Sequence, residues 1–296
     1  MPVKITSKEA AQSILDSNTT FLFDCDGVLW TGSHLLPRTK ETIQLLRDNN
    51  KQLIFVTNNS TKSRKAYSQK FASLGIDVRP EEIFGSAYSA AVYLAKIVQM
   101  PKTKKVLVVG EKGLEEELRD VGYTTVMGSD PAFNLPFDDS MVVRDEAVGC
   151  VVAGLDSRIN YFKLAYAQAH LLHRPETLFL ATNIDSTYPS HGKLLPGAGT
   201  IITAVSTCSG RQPEKALGKP SPSMMDCIKA NYHLDPARTI MIGDRLNTDI
   251  EFGKLGGFST LFVLSGVDSE KGMLESHVRP DFYATNLGML WELLNE

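Results

Sequence analysis

Cysteine is scarce in this sequence. There are four in 296 residues (Cys25, Cys150, Cys208 and Cys227), with no close pairing among them. That excludes a disulfide framework and a cysteine zinc site, and it fits a reducing compartment, so the cytosol is the expected location. Positive charge is also not in excess: 31 Lys and Arg stand against 34 Asp and Glu, a formal net charge of −3. Without a basic surplus, the phosphate backbone of a nucleic acid is not an expected partner. No apolar run approaches the roughly 18 residues that a membrane-spanning helix needs, so a membrane is not expected either. Low-complexity tracts and fixed-period repeats are missing. The polar segment Met1–Asp16, with Thr6 and Glu9 spaced as a capping box, predicts a helix and not a secretory signal.

Several chemistries lack their motifs. There is no Gly-x-Ser-x-Gly elbow, no Walker loop and no Gly-x-Gly-x-x-Gly. No cysteine is followed six residues later by an arginine, as a cysteine phosphatase would require. The six histidines (His34, His170, His173, His191, His233 and His277) show no metal-ligand spacing. His170 and His173, three apart on a predicted helix, read as surface residues.

What is present is a globular composition, 43% hydrophobic and 22% charged. Short apolar runs at Thr20–Phe23, Leu53–Val56, Val106–Val109, Cys150–Ala153, Thr177–Leu180, Thr239–Ile242 and Thr260–Val263 read as buried strands. Amphipathic stretches lie between them, for example Thr61–Leu74, closed by Gly75. Alternation of this kind predicts an α/β fold with parallel sheets covered on both faces. The strands are too many for one sheet. The expected arrangement is a Rossmann-like core made of residues 1–101 and 209–296, with a second α/β domain inserted as residues 102–208. The junctions are placed near Met100–Lys102 and Cys208–Arg211, short polar stretches with Pro or Gly.

The chemistry gathers at strand ends. Phe21–Trp30 runs an apolar strand into Asp24-Cys25-Asp26-Gly27. Acids two apart on a strand point to the same side, and here both emerge at its carboxyl end, where ligands bind in open parallel sheets. Alone, the motif also reads as a hairpin corner. Leu53–Ser60 ends a second strand in Thr57-Asn58-Asn59, offering a hydroxyl and backbone N–H groups to an anion, or simple helix capping by Ser60 or Thr61. Thr239–Asp249 ends a third strand in Asp244, with Asp249 about one helical turn on. Asp24, Asp244 and Asp249 together form an oxygen set for a hard cation such as Mg2+. Asp249 alone would also suit a helix N-terminus. Gly218-Lys219-Pro220 adds a single lysine, which in isolation reads as a surface residue.

These four motifs, in this order, resemble the haloacid dehalogenase superfamily of aspartate-nucleophile phosphatases. More narrowly they resemble its 4-nitrophenylphosphatase, phosphoglycolate phosphatase and pyridoxal phosphatase family, and within it the fungal 4-nitrophenylphosphatase type. The resemblance implies a Mg2+-dependent phosphatase acting through an aspartyl-phosphate. Asp24 would be the nucleophile and Asp26 the general acid and base. Thr57, Asn58, Asn59 and Lys219 would bind the phosphoryl group. The metal would sit on the Asp24 carboxylate, the Asp26 carbonyl and Asp244, with Asp249 close by. The inserted domain would be a cap, and the chain would form a homodimer through it. Substrates would be small phosphate monoesters: 4-nitrophenyl phosphate, 2-phosphoglycolate and similar metabolites.

In the inserted domain, Ala181–Pro189 follows an apolar strand, and Asp185 and Tyr188 are its candidates for contacting the leaving group. An ordinary turn stiffened by Pro189 is the plain alternative. Leu195-Pro196-Gly197-Ala198-Gly199 opens the next helix, its glycines giving a crossing chain room or only starting the helix. Other functions remain in view: a pyridoxal 5′-phosphate or phosphoprotein phosphatase, or a non-catalytic metabolite-binding regulator on the same fold.

Overall fold

A computed structural model describes residues 2–190 and 193–295, so Met1, Glu296 and His191, one of the six histidines above, lie outside the described residues. The chain forms two compact units. One comprises Met1–Thr57, Ser68–Phe84 and Asn231–Glu296, and the other Asn58–Tyr67 and Gly85–Ala230.

The first unit is built on a seven-stranded sheet in the order Val3–Lys4, Phe282–Ala284, Ser259–Val263, Thr239–Gly243, Thr20–Phe23, Gln52–Thr57, Ile83–Gly85. Its pairings from Val3–Lys4 through Gln52–Thr57 are parallel. Thr20–Phe23 and Thr239–Gly243 are buried along their whole length, as central strands covered on both faces must be. Phe23 and Phe55 stack across neighbouring strands at 5.5 Å, and Phe71 lies 4.7 Å from Phe55 and 4.8 Å from the Trp30 ring. Large rings of this kind each contribute roughly 1.5–3 kcal/mol through burial alone. From Thr20–Phe23 the chain first builds one side of the sheet, through Gln52–Thr57 and Ile83–Gly85. It returns at Thr239–Gly243 to build the other. The strand order therefore reverses beside Thr20–Phe23, and such a switch point opens a crevice at the carboxyl ends of the strands.

The second unit has a five-stranded parallel sheet in the order Lys215–Ala216, Leu178–Ala181, Val148–Ala153, Lys105–Val109, Thr125–Met127. The strand period of two divides its side chains between two cores. Leu107, Val109, Val151 and Phe179 pack with Phe162, Tyr166, Ile202 and Val205 of the helices Tyr161–Leu171 and Ala198–Ser209. Val106, Val108, Val152 and Leu180 pack with Ala87, Ala90, Leu114 and Leu118 of the helices Ser86–Val92 and Lys112–Asp120. A two-stranded antiparallel ribbon pairs Thr187–Ser190 with Lys193–Pro196. The edge strand Lys215–Ala216 lies past the junction expected near Cys208–Arg211. The unit also takes in Asn58–Tyr67 and Ser86–Val92, so it is wider than the expected 102–208.

Three local expectations are corrected. The first helix is Lys8–Ser17, capped by Ser7, whose Oγ accepts from Ala10 N–H. Thr6 does not cap it, because Val3–Lys4 is drawn into the sheet and the Ile5 N–H donates to Tyr283 O, keeping the backbone extended that far. The helix after Asn59 starts later than Thr61: it is Arg64–Ser73, and the Ser63 hydroxyl accepts from Ala66 N–H. The delay has a cause in Asn59, whose Oδ1 accepts from both the N–H and the hydroxyl of Thr61, at 2.9 and 2.7 Å, and so holds a turn there. His170 is buried and not at the surface; its Nε2 accepts from Asp145 N–H and its Nδ1–H donates to Tyr166 O. His173, just past that helix, is exposed.

Candidate active site

Register in the first unit decides which groups meet. Phe23 is opposite Ile242 on one side and Phe55 on the other. Asp24 follows Phe23, Gly243-Asp244 follow Ile242, and Val56-Thr57 follow Phe55. Three neighbouring strands thus end together, and their ends carry two carboxylates and a hydroxyl. The Asp24 N–H still donates to Ile242 O at 2.9 Å, so its backbone is part of the sheet while its side chain leaves it.

Asp24, Asp244 and Asp249 can each place one carboxylate oxygen so that all three lie within 4.8 Å of one another. Asp244 and Asp249 are buried and Asp24 is half-buried. Burial, then the charges of Asp24 and Asp249, push the Asp244 carboxyl up to about 8. The donors are all oxygen and the charge is concentrated and desolvated, which fits a hard divalent cation. The surrounding backbone is shaped to the cluster. Gly27 adopts φ +86°, and a Cβ there would stand 2.4 Å from Asp244 Oδ2. A Cβ on Gly266 would stand 1.8 Å from the same oxygen, and one on Gly243 would stand 2.0 Å from Asp249 Cβ. Asp244 Oδ2 accepts from Val267 N–H at 2.8 Å, and Ser265 Oγ donates to Gly27 O at 2.7 Å. Asp249 is on the turn Leu246–Ile250 and accepts from Arg245 N–H at 3.1 Å.

Asp26 stands apart from the other three. Its side chain is 47% exposed, its Oδ1 accepts from the Trp30 indole N–H at 2.8 Å, and Lys70 Nζ is 3.8 Å away. Lys70 also lies over the Trp30 ring at 4.0 Å. Thr57 is buried at its strand end.

A second set of predicted residues meets within the second unit. Asn58 Oδ1 accepts from Lys219 N–H at 2.7 Å, and Asn58 Nδ2 donates to Lys219 O at 3.0 Å. The same Nδ2 donates to Asp185 Oδ2 at 3.0 Å, and Asn183 Nδ2 donates to that oxygen at 2.7 Å. Lys219 is 2% exposed, unlike the surface lysine that its motif alone suggested. The Asn58 carbonyl accepts from Ser86 Oγ–H at 2.6 Å. Gly197 and Gly199 do make room for a crossing chain: Cβ atoms there would lie 2.2 Å from Asp185 O and 2.6 Å from Ile184 O. Tyr188 is half-buried on the ribbon, opposite Leu195.

Sequence reasoning missed the wall Ser265-Gly266-Val267 and the pair Trp30–Lys70. A signal for the wall existed, since Ser265-Gly266 follows an apolar strand as the other site segments do. Trp30 and Lys70 are 40 positions apart in sequence and nothing linked them.

The chain has similar sequences and structures among known proteins. A family described as haloacid dehalogenase-like hydrolase matches residues 21–124, and one described as HAD-hydrolase-like matches residues 216–290. The chain is 44% identical to a 4-nitrophenylphosphatase of Schizosaccharomyces pombe over 99% of both chains. It is 40% identical to phosphoglycolate phosphatase 2 of Arabidopsis thaliana, again over 99% of both. Among solved structures, a glycerol phosphate phosphatase of Mycobacterium tuberculosis in complex with magnesium superposes with a TM-score of 0.77 at 28% identity, covering 94% of this chain and 77% of that one.

Proposed function

This chain belongs to the haloacid dehalogenase-like hydrolase family, and on that premise we propose that it hydrolyses small phosphate monoesters with Mg2+ through an aspartyl-phosphate. It is a phosphoric monoester hydrolase; the metal, the intermediate and the substrate are the proposal. The observation that carries it is the convergence of the Asp24, Asp244 and Asp249 carboxylates beside Thr57 at neighbouring strand ends.

Asp24, the Asp26 carbonyl and Asp244 would hold the Mg2+, with Asp249 direct or through water. Bound there, the cation would offset the repulsion between a carboxylate and a phosphate dianion. Asp24 attacks phosphorus, and the bond from phosphorus to the ester oxygen breaks as Asp26 gives that oxygen its proton. Asp26 then takes a proton from water, whose oxygen attacks phosphorus. The bond to Asp24 breaks and orthophosphate leaves. Thr57, Asn58, Asn59 and Lys219 position the phosphoryl group and balance its charge, which is most of what phosphoryl transfer needs from a protein. Trp30 and Lys70 give Asp26 a defined resting place between the two halves.

The inserted segment, residues 102–208, would act as the cap. Substrate choice belongs to Ala181–Pro189, through Tyr188 and the neighbouring donors Thr182, Ser186 and Thr187. The names of the relatives favour 4-nitrophenyl phosphate and 2-phosphoglycolate among substrates. The four free cysteines suit the cytosol. Among the described residues no helix is long and apolar enough to cross a membrane. Pairing through the caps would make the chain a homodimer, which light scattering behind size exclusion measures directly. The deciding assay is turnover of 4-nitrophenyl phosphate with Mg2+ and with excess chelator, in wild type and Asp24→Asn. Full activity in chelator, or in the Asn variant, would end this mechanism.

A further inference from the structure

The side chain of Asn58 brackets the backbone of Lys219, accepting from its N–H and donating to its carbonyl. An amide can do this in one orientation only. Turned over, its NH2 would face the Lys219 N–H and its oxygen would face the Lys219 carbonyl. The second hydrogen of the same NH2 goes to Asp185 Oδ2. A carboxylate oxygen only accepts, so Asp185 favours the same orientation that Lys219 requires.

Asp185 is itself held from several sides. Asn183 Nδ2 donates to the same oxygen at 2.7 Å, and Thr182 Oγ1 donates to Asn183 Oδ1 at 3.1 Å. The Asp185 carbonyl accepts from Gly199 N–H at 2.9 Å, where only glycine allows the approach. On the far side, Gly218 has no room for a side chain. A Cβ there would stand 2.7 Å from Asn183 Cβ and 2.8 Å from Asn58 Oδ1. Lys219 therefore starts from a backbone fixed by Asn58, and Asn58 is fixed by Asp185.

We propose that Asp185 is a positioning residue: it orients the Asn58 amide and, through it, the Lys219 backbone, and so sets the phosphoryl-binding pair instead of reading the leaving group by direct contact. This rests on the phosphatase reading above and deepens it. The consequence is specific. A group that acts on the phosphoryl end serves every phosphate ester alike, whereas a group that touches the leaving moiety serves them unequally.

The test measures kcat/KM for 4-nitrophenyl phosphate, 2-phosphoglycolate and pyridoxal 5′-phosphate in the full chain with Mg2+. Asp185→Ala should lower all three by a common factor on the order of 10²-fold, the usual cost of about 1 Å of misplacement. Asp185→Asn can present its amide oxygen to both neighbouring NH2 groups, so it should recover most of that loss. A merely structural role would show no such rescue in rate at equal folded fraction. Three results overturn the proposal: ratios among the esters that shift in Asp185→Ala, an Ala variant equal to wild type, or an Asn variant as impaired as Ala. Where Asp185→Ala does not fold, Asp185→Ser takes its place under the same criteria, its hydroxyl being too short to reach Asn58. A wild type that turns over none of the esters would sink the phosphatase reading instead. Calorimetric binding of inorganic phosphate then decides: weaker binding in Asp185→Ala than in wild type supports the positioning role. Equal binding, or none by either protein, overturns it.

Discussion

Replacing Asp244 with Asn should make the metal-free protein more stable and deprive it of its metal. Asp244 is 2% exposed, and its carboxyl is pushed from 3.8 to about 8, first by burial and then by the charges of Asp24 and Asp249. Between those two values the folded chain holds a proton that the unfolded chain has released. Metal-free stability therefore falls as pH rises through that window and is fullest below it. At neutral pH roughly three pH units separate the solution from the ordinary carboxylate value, at ~1.4 kcal/mol each, so about 4 kcal/mol is the most this group costs. Asn has no such proton to hold. Its oxygen can keep the Val267 N–H bond, and its NH2 would face two carboxylates in place of a third negative charge. A gain of about 1–4 kcal/mol is expected in chelator, at roughly 2–4 °C per kcal/mol for a unit of this size.

Mg2+ reverses the comparison. It binds the deprotonated cluster, so wild type should gain stability with metal by mass action, and more at about pH 8 than at about pH 6, where a proton competes. The variant should gain little. Scanning calorimetry of both proteins from about pH 5 to about pH 8, in chelator and in excess Mg2+, reads all of this at once. An Asp244→Asn protein less stable than wild type in chelator at neutral pH would refute the electrostatic reasoning. An undiminished Mg2+-dependent rise in that variant would refute the metal assignment.

The other expectations concern turnover. Asp24→Asn should lose several powers of ten in kcat, because an amide is not a nucleophile; acid-quenched labelled phosphate should be found on Asp24 in wild type and not in the variant. Gly266→Ala places a Cβ 1.8 Å from Asp244 Oδ2, so Mg2+ affinity measured by calorimetry should fall at least tenfold although residue 266 carries no ligand. Tyr188→Ala should change the ratios of kcat/KM among 4-nitrophenyl phosphate, 2-phosphoglycolate and pyridoxal 5′-phosphate; three equal factors would remove Tyr188 from substrate choice.

The central elements were legible because the chemistry and the fold place their demands on the same residues. A parallel strand buried on both faces must be a continuous apolar run, and a phosphatase site must put acids and hydroxyls where such runs stop. Thr20–Phe23 with Asp24, and Thr239–Gly243 with Asp244, satisfy both conditions in adjacent positions, so both strands and both acids were found. Helix starts were less legible because they turn on single hydrogen bonds. Ser7 displaced Thr6, and Ser63 displaced Ser60 and Thr61, for reasons lying outside the local pattern: a strand pairing at Ile5 in one case and the Asn59 turn in the other.

What escaped the sequence was chiefly what acts by leaving space or by holding something else. Gly266 carries no functional group, and its part in the cluster is the absence of an atom beside Asp244. Trp30 is buried in the core, yet its one polar hydrogen reaches Asp26. Asp185 looked like a ligand-contacting acid because an acid on a loop in a cap invites that reading, and charge makes it conspicuous. Its carboxylate takes hydrogen bonds from Asn58 and Asn183. The two kinds of acid differ physically. Asp24, Asp244 and Asp249 are crowded together, and burial followed by the charges of the other two raises the Asp244 carboxyl, a setting that suits an outside cation. Asp185 is met at Oδ2 by two amide donors of its own chain. Sequence spacing reports that an acid is present at a strand end or in a loop. Whether other carboxylates crowd it, as at Asp244, or side-chain amides donate to it, as at Asp185, is settled in part by residues far away in sequence.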